Sequence, residues 1–281
     1  MTDAQLSTRN PVTSELARSW LLVSARGLAS GSDIGSGDAD EIILDIEDAI
    51  DPSLKDDARR DVVEWLADGD AWVRINDRNS DYWAADVATL RGSRGLRGVM
   101  LTKVESAEAV TETFDALGGE TPVIALVESA LGIEEAVTIA RARGVFRLAF
   151  GSGDYRRDTG ASADDLAMAY PRSRLVVASR IGHLPGPVDG PTVGASHALL
   201  REQSAVGVSL GMTGKLCLQP EQVGVVNESF SPSRSDVLWA RDFLADFLGR
   251  GRVVRDGSDL PRLARARRIQ EHAHAFGLNA G

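Results

Sequence analysis

Residues Pro122–Gly151 read PVIALVESALGIEEAVTIARARGVFRLAFG and predict a strand, a helix and a second strand in succession. The outer segments, Pro122–Glu128 and Arg147–Gly151, are almost continuously apolar, which is typical of parallel strands buried on both faces. The segment Gly132–Arg143 between them has the pattern of a helix. Because successive strands joined by a helix pair in parallel, this unit predicts a parallel sheet.

The same alternation of strands and helices runs along most of the chain. Further strands are predicted at Trp20–Ala25, Glu41–Asp45, Ala71–Asn76, Val99–Lys103, Pro187–Gly190 and Lys215–Leu218. Further helices are predicted at Leu54–Leu66, Ala84–Leu90, Ser106–Leu117, Ala161–Ile181, Ala198–Val206 and Pro220–Glu228. No GxGxxG motif follows the first strand, and charged residues end strand after strand. Both features favour an α/β fold of the closed (β/α)₈ TIM barrel type over an open doubly wound sheet.

The barrel is predicted to occupy residues 1–230, and residues 231–281 are predicted to form a C-terminal helical region. That region holds two amphipathic patterns, at about Arg234–Leu248 and Leu260–Ala275, which predict a helical appendage on the barrel. The stretch Gly27–Asp40 reads GLASGSDIGSGDAD and predicts a loop, a frayed helix or a disordered lid. Its four glycines disfavour a helix, since each costs about 1 kcal/mol relative to alanine.

The composition argues against several classes of protein. The chain has 281 residues, a formal net charge of −10 and one cysteine, Cys217. The negative charge argues against nucleic-acid binding, which needs a concentrated basic surface. No apolar run approaches the ~20 residues of a membrane span, and no signal-peptide pattern follows Met1. Since one cysteine allows no disulfide within the chain, we expect a cytoplasmic protein that binds neither nucleic acid nor membrane.

Charged side chains collect where the predicted strands end, and in a barrel these ends form the active site. They are Asp45, Glu47 and Asp48 in LDIED, Arg74 in VRIN, Lys103 in LTK, Glu128 in ALVES and Asp154 in FGSGD. One interpretation is a set of salt bridges that closes the mouth of the barrel. The acidic excess favours a second interpretation, an enclosed cation. Carboxylates without nearby histidine or cysteine favour Mg²⁺ or Mn²⁺ over zinc.

Seven motifs in order make the chain resemble the citrate lyase beta subunit-like proteins of the HpcH/HpaI aldolase and malyl-CoA lyase family. The resemblance extends from Trp20 to about Arg268. The motifs are EIILDIEDAIDPSLKDDAR (Glu41–Arg59), VRIN (Val73–Asn76), LTKVES (Leu101–Ser106), VIALVESALGI (Val123–Ile133), LAFGSGD (Leu148–Asp154), GKLCLQPEQVGVVNESFSPS (Gly214–Ser233) and DGSDLPRLARARRI (Asp256–Ile269). The resemblance implies a metal-dependent carbon–carbon lyase.

The resemblance also implies roles for the residues at the strand ends. Glu128 and Asp154 match the two carboxylates that bind Mg²⁺ in the family. Arg74 matches the arginine that faces the substrate carboxylate or the developing enolate. Asp45 and Glu47 match acidic residues that line the same mouth.

Two further matches concern Lys103 and Asp259. Lys103 matches a family lysine and could supply positive charge to the enolate, although a lysine at a strand end could instead form a Schiff base. Asp259 matches an aspartate that several relatives deliver into the neighbouring subunit's active site. There it would serve as the acid or base for the enolate carbon. Residues 231–281 are therefore expected to pack on a neighbouring subunit in a homotrimer or hexamer.

The coenzyme A site departs from the family pattern. Relatives carry basic residues and a proline after the first strand, whereas residues 24–40 here read SARGLASGSDIGSGDAD, with Arg26 as the only basic residue. Thr102 stands where relatives have proline, and Gln219 stands where they have histidine. Arg26 is the remaining candidate for binding coenzyme A, and we expect the affinity for it to be weak.

The residues and the resemblance together predict cleavage or formation of a carbon–carbon bond in a short β-hydroxyacyl-CoA. Malyl-, citramalyl- and citryl-CoA are examples of such substrates, and the products would be a keto acid and an acyl-CoA. Three alternatives stay open: a thioesterase acting on a malyl-CoA-like ester, an aldolase acting on free keto acids without coenzyme A, and a catalytically silent binding protein. Structural roles explain the other residues of interest, which are His183, His197, His272, His274 and Cys217.

Overall fold

The computed structural model describes residues 12–26, 28, 34, 37–48, 50–194 and 196–278. It divides into two compact units, one spanning Ala17–Phe230 and the other containing the C-terminal residues from Ser231 onward. Much of the predicted loop Gly27–Asp40 lies outside the described residues. Within that loop, the Asp40 carboxylate accepts three hydrogen bonds from Arg18, at 2.7 to 2.8 Å. The Asp40 carboxylate is therefore held in place by Arg18.

The first unit is a closed barrel of eight strands, arranged in the order in which they occur in the chain. The strands are β1 (Ser19–Ser24), β2 (Glu41–Asp45), β3 (Ala71–Ile75), β4 (Leu96–Leu101), β5 (Val123–Val127), β6 (Val145–Phe150), β7 (Val188–Asp189) and β8 (Gly214–Cys217). Each pairs in parallel with its neighbours, and pairing of β1 with β8 closes the barrel. The predicted (β/α)₈ barrel is confirmed.

Large side chains fill the barrel near the amino ends of its strands. The rings of Trp20 and Trp72 pack edge to face, with centroids 5.6 Å apart. The buried Arg147 guanidinium lies over the Trp20 ring and donates to the carbonyl oxygens of Ala17 at 3.0 Å and Gly186 at 2.6 Å. These contacts lie near the amino ends of the strands, whereas the active sites of such barrels lie at the opposite, carboxyl ends.

Nine helices of the described residues in this unit follow the strands. They are α1 (Lys55–Trp65), α2 (Trp83–Leu90), α3 (Ala107–Ala116), α4 (Ala130–Glu134), α5 (Ala136–Ile139), α6 (Ser152–Thr159), α7 (Asp165–Ile181), α8 (His197–Leu210) and α9 (Pro220–Ser229). A 3₁₀ turn, Pro52–Leu54, precedes α1.

The helices differ from the sequence prediction in two regions of the chain. The predicted helix Gly132–Arg143 is instead two short helices, α4 and α5, which meet at Glu135. The helix α6 was not predicted, because its sequence SGDYRRDT has no apolar stripe. It begins directly after β6 and ends at Gly160, whose left-handed φ of 73° suits a glycine at a helix terminus. This unpredicted helix carries Asp154.

The second unit contains the helices α10 (Arg234–Gly249) and α11 (Asp259–Ala275), so the predicted C-terminal helices are present. They pack through a small apolar cluster that includes the buried Ala240, Ala266 and Ile269. Among the described residues of both units, no helix combines the length and apolar character needed to cross a membrane.

Candidate active site

An ion pair between Asp45 and Arg74 lies at the carboxyl ends of β2 and β3, where the two residues are neighbours in register. The guanidinium donates from Nε to Oδ1 at 2.8 Å and from Nη2 to Oδ2 at 2.6 Å. Burial disfavours the charge on Arg74, but the hydrogen bond and charge of Asp45 outweigh it and raise the pKa of Arg74. Within the described residues, the contacts of its Nη1 are longer, 3.5 Å to Glu47 and 3.6 Å to Asp48. Arg74 is therefore a fixed cation whose Nη1 is available to bind a substrate.

Glu47 and Lys103 form a second ion pair beside the first. The ammonium Nζ of Lys103 donates to Oε1 of Glu47 at 3.0 Å. Burial raises the pKa of Glu47, and Arg74 and Lys103 counteract that rise. Burial lowers the pKa of Lys103, but the hydrogen bond and charge of Glu47 outweigh it, so the pKa is raised overall. Lys103 is thus an ammonium ion at neutral pH, which disfavours the Schiff-base interpretation because that chemistry needs a free amine.

The backbone of Lys103 also contacts the next carboxylate in the site. Lys103 has a left-handed φ of 50°, which is uncommon for a residue other than glycine. In this conformation its backbone N–H donates to Oε1 of Glu128 at 2.9 Å. Strained backbone is frequent at functional sites, where the surrounding structure holds it in place. Here the strained residue fixes the orientation of Glu128.

Glu128 follows β5 and is almost fully buried. The chain passes very close to it at Gly151, where a Cβ atom would lie 2.2 Å from Oε2, so only glycine fits. Burial raises the pKa of Glu128 to about 8, and the nearby charges of Asp154 and Glu47 act in the same direction. Within the described part of the chain, Oε2 accepts no hydrogen bond. A buried carboxylate in this state calls for a proton or a cation.

Asp154 lies in the first turn of α6 and lines the same cleft as Glu128 and Lys103. The cleft has a volume of about 490 Å³. Its other lining residues are Asp77, Asn79, Glu105, Ser129, Arg157 and Asp158. Arg157, one helical turn after Asp154, contacts its carboxylate at 3.1 Å. Thus the structure brings Glu128, Asp154 and Lys103 into one cleft, next to Glu47 and Arg74.

The donor set in this cleft fits a hard divalent cation. Glu128 and Asp154 offer only oxygen, which Mg²⁺ prefers. Burial is the main cause of the raised pKa of Glu128, and the charges of Asp154 and Glu47 add to it. In the described residues, no group of three or more His, Cys, Asp or Glu side chains is arranged to hold a metal alone. A cation here would therefore complete its coordination with water and substrate, as Mg²⁺ usually does.

Arg26, the candidate for binding coenzyme A, lies in a different pocket. That pocket has a volume of about 420 Å³ and shares none of its lining residues with the cleft described above. Its wall also contains three aspartates, Asp51, Asp57 and Asp61. This acidic surrounding is a poor one for a nucleotide phosphate.

Asp259, the candidate acid or base, is the first residue of α11 in the second unit. Its carboxylate accepts from Nη1 of Arg250 at 2.6 Å and from the backbone N–H of Arg255 at 2.8 Å. The hydrogen bond from Arg250 lowers the pKa of Asp259 to about 2. In this conformation Asp259 is an ionised carboxylate that joins the end of α10 to the start of α11.

Sequence reasoning missed Arg157 and Lys55. Arg157 could have been found as the residue three positions after Asp154, but only if residues 152–159 had been read as a helix. Lys55 was quoted in a motif without a role, yet its side chain is buried against the backbone of Glu47. Cys217 is buried, and burial raises the pKa of its thiol to about 12.

Comparisons with known protein families identify the relatives of this chain. The profile of the HpcH/HpaI aldolase/citrate lyase family matches residues 18–220. The profile of the HpcH/HpaI aldolase C-terminal domain matches residues 235–277. The family resemblance seen in the sequence is confirmed.

Curated relatives and solved structures fall in the same group. Mitochondrial citramalyl-CoA lyase from Homo sapiens is 34% identical over 267 residues, covering 83% of this chain and 78% of that protein. L-malyl-CoA/beta-methylmalyl-CoA lyase from Rhodobacter capsulatus is 29% identical, covering 85% of this chain and 86% of that protein. The crystal structure of CitE from Mycobacterium tuberculosis in complex with magnesium, acetoacetate and coenzyme A has a TM-score of 0.76 and 27% identity, covering 92% of this chain and 99% of that one.

Proposed function

The chain belongs to the HpcH/HpaI aldolase/citrate lyase family, and from this premise we propose that it is a magnesium-dependent carbon–carbon lyase. Its substrate would be a short β-hydroxyacyl-CoA of the malyl-, citramalyl- or citryl-CoA type. Cleavage would yield a keto acid and an acyl-CoA, and the reverse reaction would join them. The relatives named as citramalyl-CoA and malyl-CoA lyases support this substrate class.

One observation carries the proposal above all others: Glu128, Asp154 and Lys103 line one cleft. In our proposal Glu128 and Asp154 hold the Mg²⁺ ion. When bound there, Mg²⁺ would supply Lewis-acid polarisation of the substrate's carboxylate and adjacent oxygen. The hydrogen bond from the Lys103 backbone occupies one oxygen of Glu128, so the other oxygen would be available to the cation.

Arg74 and Lys103 are the proposed source of positive charge for the reacting groups. The enolate that remains after C–C cleavage, or the substrate carboxylate, would be held by Nη1 of Arg74 and by the Lys103 ammonium. Asp45 and Glu47 would orient these two cations, since each makes a short contact with one of them. Preorganised charge of this kind stabilises a developing anion without reorganisation during the reaction.

Asp259 is the proposed acid or base for the enolate carbon, delivered from a neighbouring subunit of a homotrimer or hexamer. The carboxylate would first exchange its contact with Arg250 for one with the substrate, because a pKa of about 2 makes it a poor proton donor as it stands. Its place at the start of α11, near a chain turn, suits such an exchange.

A second candidate function, an aldolase acting on free keto acids, is favoured by the surroundings of Arg26. The pocket that contains Arg26 also contains three aspartates, which would repel the phosphates of coenzyme A. Such an enzyme would use the same cation and the same Arg74 but no thioester.

The products distinguish these functions. The purified protein with Mg²⁺ should release keto acid from citramalyl-, malyl- or citryl-CoA, detected as a phenylhydrazone, and release no free thiol. Free thiol measured with Ellman's reagent would instead indicate a thioesterase, and the chain's single buried cysteine should contribute little background. Turnover of a 4-hydroxy-2-keto acid, with no reaction of the thioesters, would contradict the lyase proposal and support the aldolase.

A further inference from the structure

Lys55 is a buried lysine that lies outside the cleft but contacts the turn after β2. It occupies the first position of α1, and only 6% of its surface is exposed. Its ammonium donates to the carbonyl oxygens of Ile46 at 2.8 Å and Glu47 at 2.7 Å. The third hydrogen bond goes to Oδ1 of Asn76 at 2.8 Å. An ammonium has three protons, so every donor of Lys55 has an acceptor.

The acceptor Asn76 belongs to a longer buried chain of hydrogen bonds. Its Nδ2 and its backbone N–H donate to Oδ2 of Asp86 at 2.6 and 3.0 Å. Asp86 lies on α2 with no exposed surface, and its Oδ1 accepts from Nε of Arg59 at 2.7 Å. Since Arg59 lies on α1, one turn after Lys55, the network ties both helices to the ends of β2 and β3. Asp86 thus has an ionic partner of its own in Arg59, besides its contacts with Asn76.

What Lys55 holds is the turn that carries Glu47. The backbone N–H of Ile46 donates to the carbonyl oxygen of Arg74 at 3.1 Å, and that of Glu47 donates to Asp45 at 2.9 Å. The Glu47 side chain then reaches Lys103 at 3.0 Å. Lys55 thus binds the carbonyl oxygens of this turn on one side, and the Glu47 carboxylate faces the active site on the other.

We propose that Lys55 is a positioning residue of the active site: its buried ammonium clamps two successive carbonyls, Ile46 and Glu47, and thereby fixes the Glu47 carboxylate against Lys103 and Arg74. The part of this inference that concerns catalysis rests on the proposed lyase function. Among the described residues, Lys55 has no ionic partner in direct contact. Burial of such a charge is costly, and burial lowers the pKa of Lys55. A neutral side chain of similar length would avoid that cost but could not donate to three acceptors at once.

The test compares Lys55→Met with Lys215→Met. Lys215 is a matched control because it is also buried, and its ammonium donates to Gly190 and Asp189, away from the turn. Hydrogen–deuterium exchange of peptides covering residues 44–50 is the first readout, since it requires no activity. In Lys55→Met the amides of Ile46 and Glu47 should exchange about tenfold faster or more. The reason is that the charge-assisted hydrogen bonds from Lys55 to the carbonyl oxygens of these two residues are lost. Lys215→Met should leave these amides unchanged.

The second readout separates positioning from general destabilisation. Lys55→Met should lower kcat about tenfold or more. KM should change by less than about threefold, and the Mg²⁺-induced rise in Tm by less than a few degrees, because Glu128 and Asp154 are untouched. Should Lys55→Met fail to fold, Lys55→Gln, whose amide still donates, should give the same pattern in weaker form. Unchanged exchange at Ile46 and Glu47, or equal acceleration in the control, would overturn the clamp.

The two readouts also distinguish failure of this inference from failure of the proposed function. If the wild-type protein cleaves no hydroxyacyl thioester, the exchange experiment still decides whether Lys55 holds the turn. If the wild-type protein is an active lyase, and Lys55→Met loosens the turn without lowering kcat, the positioning role is wrong although the lyase function stands.

Discussion

At the residue scale, Lys103 contributes to the site with two different parts. Its ammonium pairs with Glu47, whereas its backbone N–H binds Glu128. The second contact depends on the left-handed φ of 50°, a conformation that no side-chain argument from sequence anticipates. Substitutions can therefore separate the two contributions.

We expect Lys103→Gly to be more stable than Lys103→Ala by about 1 kcal/mol, because glycine adopts a left-handed φ without strain. Both variants should lose activity alike, since both lack the ammonium. Both should still respond to Mg²⁺, because the backbone N–H that holds Glu128 remains. Thermal unfolding of the two proteins, with and without Mg²⁺, measures these differences. Equal stability of the alanine and glycine variants would show that this backbone is not strained.

Metal binding is the second prediction at this scale. Glu128→Gln and Asp154→Asn should each abolish the Mg²⁺-induced rise in Tm and lower cleavage at least about a hundredfold, since each would remove a charged ligand of the proposed cation. Glu105→Gln is the matched control, because Glu105 lines the same cleft but contacts Ser129. Full activity of either ligand variant in excess chelator would contradict the assignment.

The pKa of Glu128 gives this metal prediction a pH dependence. It is raised from 4.5 to about 8, so between these values the folded chain retains a proton that the unfolded chain has lost. Stability of the metal-free protein should therefore fall as pH rises through this window. Mg²⁺ must displace the proton, so its effect on Tm should be larger at about pH 8.5 than at about pH 6.5. In Glu128→Gln this pH dependence should disappear.

At the scale of elements, Asp259 connects α10 and α11 through Arg250. Its pKa of about 2 lies below the ordinary value of 3.8, so its contribution to stability is present above about pH 4 and is lost as pH falls through about 2. We expect Asp259→Asn to lower Tm at neutral pH, with the difference from the wild type shrinking as pH falls below about 4. Arg250→Met should behave in the same way. A pH-independent difference would show that the ion pair is not its cause.

Elements were predictable from sequence where the apolar pattern was strong. All eight strands were anticipated because a parallel barrel strand is buried on both faces and its residues are accordingly apolar. The helix α6 was missed because Ser152–Thr159 has no apolar stripe. It also begins only two residues after the end of β6, so no loop separates the two elements. The residues at the strand ends were expected to meet, and Asp45, Arg74 and Glu128 do lie at one end of the barrel.

What could not be predicted depends on contacts between distant segments. The grip of Lys55 on the turn after β2 requires the relative position of α1, β2 and β3. Likewise, no local pattern in the sequence shows that Arg26 and the cleft residues line separate pockets. Local patterns identify elements, whereas long-range contacts of this kind arise only when the whole barrel has closed.

At the scale of the whole molecule, the first question is whether one active site needs two chains. If Asp259 acts in trans, each site combines the Glu128 of one chain with the Asp259 of another. Mixing Asp259→Ala and Glu128→Gln chains in equal amounts should then restore about a quarter of the wild-type activity after subunit exchange, because that fraction of random pairs holds both residues. Each variant alone should be nearly inactive. Recovery should be absent in fully exchanged mixtures if Asp259 instead acts within its own chain or only stabilises α11.

The second question at this scale is whether the whole chain, with a net charge of −10, binds an anionic coenzyme. Arg26 shares its pocket with Asp51, Asp57 and Asp61, so little positive charge faces a phosphate there. Relatives carry basic residues after the first strand that this chain lacks. Loss of two exposed phosphate contacts of that kind, at ~1 kcal/mol each, weakens coenzyme A binding about tenfold to thirtyfold. Calorimetry with acetyl-CoA should therefore give a Kd well above micromolar. Salt should raise this Kd further in the wild type but much less in Arg26→Ala.

Tight binding that salt does not weaken would mean that another basic surface binds the coenzyme. Absence of binding, together with turnover of a free hydroxy-keto acid, would favour the aldolase, because the cation site and Arg74 need no thioester to act.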